Sequence, residues 1–307
     1  LGPVTSDVDA AYVAQQRHDA CETLVVGGGA AGLATARAAA EAGKDVVLVD
    51  DQRHPGGTLH QCREIEGQSP QDWIAAQTGA IKAAGGRILT GTTAFAVFDH
   101  RLVGLITQGR FGTAPTLTRM RVRRLILASG ALDRPMTFAG NDLPGVMSLL
   151  AAREYLARYA VLPVPDAISV SNNSLADSAA SELADFGLPL TRLSGHEGPF
   201  EARGFRSVAA LVAGTRTYPA DCVLVSGGLT PLVHLWRYAG GKLAWCDARQ
   251  AFVPGAGPDW MQPVGAANGT FDLTAALNEA RGETDSAGPA YHVTPHWPQP
   301  GAKGRQW

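Results

Sequence analysis

Six consecutive residues, Gly27-Gly28-Gly29-Ala30-Ala31-Gly32, carry the pattern G-x-G-x-x-G. At a strand end, Gly27 allows a tight turn, Gly29 lets the main chain approach a pyrophosphate, and Gly32 lets the following helix pack closely on the strand. A helix starting at Ala30 would point free N–H groups and a partial positive charge at the phosphates, with Ala31 in its first turn. In a chain with 36 glycines the pattern alone is weak. Three further residues agree with it. Ala36 is small where helix and strand must approach, Gly43 stops the helix, and Asp50 ends the next apolar run, 23 residues after Gly27, where a carboxylate accepts ribose hydroxyls. That carboxylate repels a 2′-phosphate, so the pattern favours NAD or FAD over NADP. NAD and FAD share the adenosine diphosphate half that the motif reads, and it does not separate them.

Other segments fit the same chemistry. Gly56-Gly57-Thr58 follows the second strand and can bring amides to the far side of a pyrophosphate. Ala128-Ser129-Gly130 ends a strong strand and is similar to the segment that closes over the dinucleotide in two-domain flavoproteins. Gly265-Ala266 precedes a helix expected to open at Gly269, a second helix start aimed at the cofactor. The rest of the catalytic repertoire is not indicated. Cys21, Cys62, Cys222 and Cys246 form no C-x-x-C pair, which removes a dithiol redox centre and a zinc ribbon. No Ser-His-Asp order, paired carboxylate or metal cluster stands out. His234 reads as a packing residue in a short apolar helix, and Arg134 and Asn141-Asp142 as residues that hold loops.

The elements that must position these residues follow from periodicity and breakers. Thr23–Val26, Ala30–Ala42 and Asp45–Val49 form a βαβ unit. A helix capped by Ser69-Pro70 runs to about Ala84. Strands follow at Arg87–Gly91, Phe95–Asp99, Leu102–Thr107 and Arg121–Ala128. A helix at Ser148–Tyr159 leads to a second βαβ unit, made of Ala167–Val170, Ser174–Phe186 and Pro189–Leu193. Its turn, Ser171-Asn172-Asn173-Ser174, contains no glycine, so it lacks the phosphate-binding turn that a nicotinamide-to-flavin reductase needs there; Asn172 and Asn173 read as helix caps. Further strands are expected at Val208–Val212 and Cys222–Val225, and helices at Pro231–Tyr238 and Gly269–Arg281.

The predicted fold is α/β, a Rossmann-type fold of the two-dinucleotide-binding-domain flavoprotein kind, with an antiparallel β insert and a degenerate second βαβ domain. Residues 1–20 are a surface leader, 21–145 and 221–281 the discontinuous first domain, 146–220 the second domain, and 282–307 an irregular tail.

Composition narrows the partners. The 307 residues carry a formal charge of −2 and no long basic run, which argues against nucleic acid or an anionic membrane surface. The uncharged stretch Thr23 to Ala36 holds four glycines and is shorter than the roughly 18–20 apolar residues of a membrane span. The cysteine usage and the lack of a visible signal peptide point to a reduced, cytoplasmic chain.

Leu24–Gly32, Val46–Gln52, Gly56-Gly57-Thr58, Thr92–His100, Gly130–Tyr155, Ser226–His234 and Val264–Phe271 together resemble the α subunit of heterotetrameric sarcosine oxidase. The likeness covers residues 20–281; its most specific run, Ala131–Val146, is also similar to opine oxidase, hydroxyproline dehydrogenase and hydrogen cyanide synthase subunits. The resemblance implies an NAD-binding subunit of an amine-oxidising complex. FAD and FMN are then expected with a partner β subunit, further small subunits are expected beside it, and sarcosine is demethylated oxidatively to glycine, peroxide and a one-carbon unit. It adds Asp51, Gln52, Thr93 and Ala94 to the expected cofactor contacts. Ala30-Ala31 stand where proline-alanine is usual, and Asp51 where glutamate is common. The resemblance also makes the chain look like a central piece, starting after a ferredoxin-like segment and stopping before a folate domain. The alternatives are a self-sufficient FAD-dependent pyridine nucleotide oxidoreductase and a subunit of an opine or hydroxyproline dehydrogenase.

Overall fold

The computed structural model describes residues 15–109, 114–162, 164–283 and 291–295. Residues 1–14 of the expected leader, and positions 284–290 and 296–307 of the expected tail, lie outside the described residues.

Apolar β-branched runs pair in parallel to build the first sheet. β1 (Gln15–Val26) lies between β2 (Val46–Val49) and β6 (Thr116–Leu127), parallel to both, with Val25 opposite Leu48 and Ile126. β3 (Arg87–Leu89) extends the sheet beyond β2. On the other side β5 (Leu102–Thr107) runs antiparallel to β6, and β4 (Thr92–Phe98) antiparallel to β5. All four residues of β2 are buried, as in a parallel strand covered on both faces. β1 corrects the leader boundary: it starts at Gln15, and its polar first half pairs with Thr116–Met120 of β6.

α1 (Ala30–Glu41), α2 (Pro70–Ala83) and α6 (Leu273–Arg281) cover one face of this sheet. Leu33, Trp73, Ile81 and Leu277 pack there over Val25 and Leu48. Ser69 Oγ accepts from the Asp72 N–H (3.1 Å) and Pro70 takes the first helical position, which fixes the start of α2. The opposite face is filled by Val103, Leu105 and Met120 of the antiparallel insert.

The chain leaves this unit through β7 (Ala131–Asp133) and returns through β15 (Leu229–Pro231), which pair antiparallel as a two-stranded ribbon. Between them lies a second unit. Its sheet has the order β10 (Leu190–Ser194), β9 (Ala167–Ser171), β14 (Val223–Ser226), β8 (Val146–Ser148), all parallel. α3 (Leu149–Tyr159) and α4 (Ser174–Asp185) cover one face. The antiparallel strands β11 (Phe200–Gly204), β12 (Val208–Ala213) and β13 (Arg216–Pro219) cover the other. β14 corrects the domain boundary expected at residue 221: Val223–Ser226 hydrogen-bond to β8 and β9, so the second unit extends to Ser226.

After the ribbon come α5 (His234–Tyr238), the hairpin β16 (Leu243–Cys246) and β17 (Ala251–Pro254), and β18 (Met261–Pro263), which adds parallel to β6. The helix expected over Pro231–Tyr238 begins only at His234, because Leu229–Pro231 are held extended against β7. His234 is exposed at the start of α5; the packing residues are Leu235 and Trp236. Among the described residues no helix is long and apolar enough to cross a membrane, and no three His, Cys, Asp or Glu side chains are grouped to hold a metal.

Candidate dinucleotide-binding site

In the first sheet β1 leads to β2 on one side while β6 lies on the other, so the strand order reverses between β1 and β6. In open α/β sheets ligands bind outside the carboxyl ends of the strands at such a point. Gly27 ends β1 there with φ +106°, and its N–H donates to Val49 O (2.8 Å). A Cβ at Gly27 would overlap the Ala128 carbonyl, and one at Gly32 would overlap Gly27 O and lie 3.2 Å from the Ala128 methyl. Glycine at 27 and 32 therefore lets strand, helix and the β6 end meet. Gly29 differs: a Cβ there would have no neighbour within 4 Å. It is the N-cap of α1, and no side chain caps that helix, so open space sits directly over free N–H donors.

Asp50 follows β2 and is buried. Its Oδ2 accepts from the Gly28 N–H (2.5 Å) and its Oδ1 from the Gln52 N–H (2.7 Å). Burial raises its pKa, opposed by these two amide hydrogen bonds. The carboxylate is thus fixed by main chain and keeps further lone pairs for ribose hydroxyls. Gly28 was not among the expected contacts, yet it organises the site: its N–H orients Asp50 and its carbonyl accepts from Gly56 N (2.7 Å), which docks the Gly56-Gly57-Thr58 loop. The spacing of the glycine run held that signal. A Cβ at Gly57 would face the Gly29 main chain at 3.4 Å, which puts the loop beside the same open space. Gly57–Gln61 form a 3₁₀ turn, whose Gln61 carbonyl accepts from Arg153 Nη2 (3.2 Å) of α3.

Asp51 and Gln52, also expected at the site, are exposed beside Asp50, and Gln52 Nε2 donates to Asp51 Oδ1 (3.1 Å). Thr93 and Ala94 lie in β4 just past Thr92, whose N–H donates to Asp50 O (2.8 Å); Thr93 is exposed and Ala94 half-buried. Ala128 N donates to Val26 O (2.8 Å), Ser129 Oγ donates to Leu232 O (2.6 Å), and Gly130 O accepts from Leu232 N (3.0 Å). The Ala128–Gly130 segment therefore ties the site to the ribbon's return strand.

Gly265 and Ala266 require a correction. They open a 3₁₀ turn, Gly265–Asn268, closed by Gly269 in a left-handed conformation; the α-helix begins at Leu273, where Asp272 Oδ1 accepts from Ala275 N (2.9 Å). The Gly265 N–H is already taken by Glu279 Oε2 (3.0 Å), and Glu279 Oε1 accepts from Asn268 Nδ2 (2.6 Å). The helix start expected at Gly269 therefore lies at Leu273 instead. Gly265 contributes by shape, since a Cβ there would meet Ala31 Cβ at 2.6 Å. Nothing in the spacing of Glu279 signalled this role. Arg134 holds loops, through Gly227 O (2.7 Å) and Gln250 O (2.7 Å), and Asn141 Nδ2 donates to Met136 O (2.8 Å).

Residues 25–100 match the family of NAD(P)-binding Rossmann-like domains. The chain is 29% identical over 319 residues to the alpha subunit of sarcosine oxidase from Rhizobium meliloti (strain 1021), covering 93% of this chain and 32% of that protein. To the corresponding alpha subunit from Corynebacterium sp. (strain P-1) it is 30% identical over 322 residues, covering 91% and 33%. An opine oxidase subunit from Agrobacterium tumefaciens (strain Ach5) is 27% identical over 79% of this chain and 59% of its own length. Among solved structures, L-proline dehydrogenase from P. horikoshii superposes with a TM-score of 0.74 at 22% identity, covering 88% of this chain and 55% of that one, and so shares the fold. The chain spans about a third of the length of the sarcosine oxidase subunits it matches. An NAD(P)-binding Rossmann-like unit joined to a second α/β unit, the chain is similar to sarcosine oxidase alpha subunits over about nine tenths of its length and to an opine oxidase subunit over 79% of it.

Proposed function

We propose that this chain is the NAD-binding α-type portion of a sarcosine oxidase-like complex that oxidises an amine, with the flavin redox chemistry on a partner β-type subunit. The observation that carries the reading is the open space over Gly29 at the uncapped start of α1, flanked by the fixed carboxylate of Asp50. The residues present fit a dinucleotide. The α1 amides and the Gly57 loop would hold the pyrophosphate, Asp50 the adenosine ribose, and Gly130 and Ala266 would border the remaining length. NAD supplies hydride-transfer capacity when bound. This chain's own part is to bind and orient it and to hold the Asp50 carboxyl in place with two amide donors.

Similarity to subunits named as parts of sarcosine and opine oxidases supports the placement in a complex. So does the lack, among the site residues described above, of a side-chain pair placed to bind and deprotonate a secondary amine. The test has two steps. Heating the purified protein and weighing the released nucleotide should give NAD; FAD there, with a flavin absorbance band and NADH oxidase activity, would replace this reading by a self-sufficient FAD-dependent reductase. Adding sarcosine should yield peroxide only when a β-type flavin subunit is supplied. Steady peroxide release by this chain alone refutes the proposal.

A further inference from the structure

The second unit repeats the geometry of the first with a different content. Its strand order reverses between β9 and β14, so its ligand crevice lies outside the ends of those strands. In the first unit that position is bordered by Gly29 and Gly130, each facing open space. In the second it is filled by the segment Tyr291–Thr294. His292 O accepts from the Ser174 N–H (2.9 Å), the first amide of α4, and the His292 N–H donates to Ser174 Oγ (3.0 Å). Thr294 N donates to Asn172 O (2.8 Å) and Thr294 O accepts from Asn172 Nδ2 (2.6 Å). Val293 forms a bridge with Asn173, is 5% exposed, and approaches Gly228, which follows β14; a Cβ at Gly228 would lie 3.3 Å from Val293 Cγ2.

The segment is anchored on the first unit as well. The Tyr291 ring packs edge-on against Phe271 (centroids 4.8 Å apart), and its hydroxyl oxygen accepts from the Leu229 N–H (3.3 Å) at the start of the ribbon's return strand. Below it, Asn173 is fully enclosed. Its Oδ1 caps α4 at Ala176 N (3.0 Å) and its Nδ2 donates to Ser226 Oγ (3.1 Å), whose hydroxyl donates to Asp133 Oδ1 (2.6 Å). What is left of the crevice is a cleft of about 390 Å³ with Asp177, Glu197 and Arg192 on its lining and His292 and Thr294 as one wall.

We propose that Tyr291–Thr294 is a built-in occupant of the second unit's ligand crevice. Main-chain carbonyls of the chain itself take the donors that a dinucleotide pyrophosphate would take, so the first unit alone accepts a nucleotide. The glycine-free turn is the counterpart of this arrangement: Asn172 and Asn173 supply side-chain donors and acceptors for a peptide strap, where a glycine turn would supply room for phosphate. The inference rests on the nucleotide reading of the first unit only for the contrast between the two.

The experiment is hydrogen exchange read by mass spectrometry on the full-length chain, with and without NAD, and separately with FAD. In the native chain either nucleotide that binds should slow exchange in residues 27–33 and leave residues 172–177 unchanged. The full-length variant Val293→Asp, which puts a charge into the buried seat, should raise exchange at 172–177 by at least about tenfold while residues 27–33 keep their protection by nucleotide. Should Val293→Asp fail to fold, Thr294→Pro, which removes the N–H given to Asn172, should raise the same exchange several-fold. Slowing of 172–177 by NAD or FAD in the native chain overturns the proposal, as does unchanged exchange there in the folded variants. Loss of nucleotide protection at 27–33 in the native chain would instead refute the function proposed for the first unit.

Discussion

Two glycines three positions apart should respond in opposite ways to a small side chain. At Gly32 a methyl would sit 3.0 Å from the Gly27 carbonyl carbon, with the carbonyl oxygen nearer still, and 3.2 Å from Ala128 Cβ. The first collision is with backbone, so α1 itself must move off β1. Overpacking of this kind costs about 1–3 kcal/mol, more where no side chain can give, and the gain of alanine over glycine in a helix returns about 1 kcal/mol. A net loss of about 2 kcal/mol is expected for Gly32→Ala. At Gly29 an added Cβ meets no atom within 4 Å, and the φ of −76° and ψ of −169° are extended backbone that valine adopts. The stability cost of Gly29→Val should stay near that of a poorer N-cap, about 0.5–1 kcal/mol. Its branched side chain, however, occupies the space where the pyrophosphate must lie. Nucleotide affinity should fall at least about hundredfold, roughly 2.8 kcal/mol. Chemical denaturation and calorimetric titration with NAD measure the two quantities separately. A Gly29→Val protein that binds NAD normally, or that unfolds as easily as Gly32→Ala, would show that α1 does not face the phosphates.

Asp50→Ala leaves the Gly28 and Gln52 amides without their acceptor, so it should lower stability by about 2–4 kcal/mol as well as weaken the nucleotide; unchanged thermal unfolding would contradict the hydrogen bonding described. Arg153→Ala should loosen the Gly57–Gln61 turn, because Arg153 joins Gln61 O to Glu182 (2.6 Å). A double-mutant cycle with Glu182→Gln should show coupling of about 0.5–1 kcal/mol, and additivity within error would refute the link. The Arg281 guanidinium, joined by the Trp73 indole N–H, holds the Glu66 carboxyl below its ordinary pKa of 4.5. A depressed carboxyl stabilises the fold above its unfolded pKa and loses that contribution as pH falls through the folded value. Because the pair is partly exposed, Glu66→Gln should cost at most about 1 kcal/mol at pH 7 and nothing in the acid range; an equal cost at both extremes would exclude the ion pair as its source.

The first unit was legible because its signals are local. The glycine run, the alanine face of α1 and the carboxylate after an apolar strand each fall within a short window, and their spacing sets their arrangement. What escaped was set by distant partners. The first half of β1 reads as polar surface because Gln15–Asp19 are largely exposed; only the facing Thr116–Met120 makes it a strand. The strand at Val223–Ser226 was legible, but its sheet was not, since an apolar run does not name its neighbour. Gly265 was expected at a helix start, whereas its reason for being glycine is the methyl of Ala31 in a different element. The strap at Tyr291–Thr294 shows no periodicity, because it is only a few residues long and its partners, Phe271, Leu229 and Asn172–Ser174, lie far away in the sequence.

The ribbon of β7 and β15 also sets a timetable. Thr35 Oγ1 of α1 donates to Ala280 O of α6 (3.4 Å), a contact 245 positions apart, and Gly265 seats against Ala31. As synthesis proceeds, the glycine run emerges more than two hundred residues before the wall that completes its pocket. Closing so long a stretch of loose chain costs about 5 kcal/mol in entropy. A second unit that folds first would bring Asp133 and Leu229 side by side and remove much of that distance, so the insert acts as a staple for its host. Damage to the second unit's core should therefore slow maturation of the proposed nucleotide pocket, although that pocket is built on the other unit.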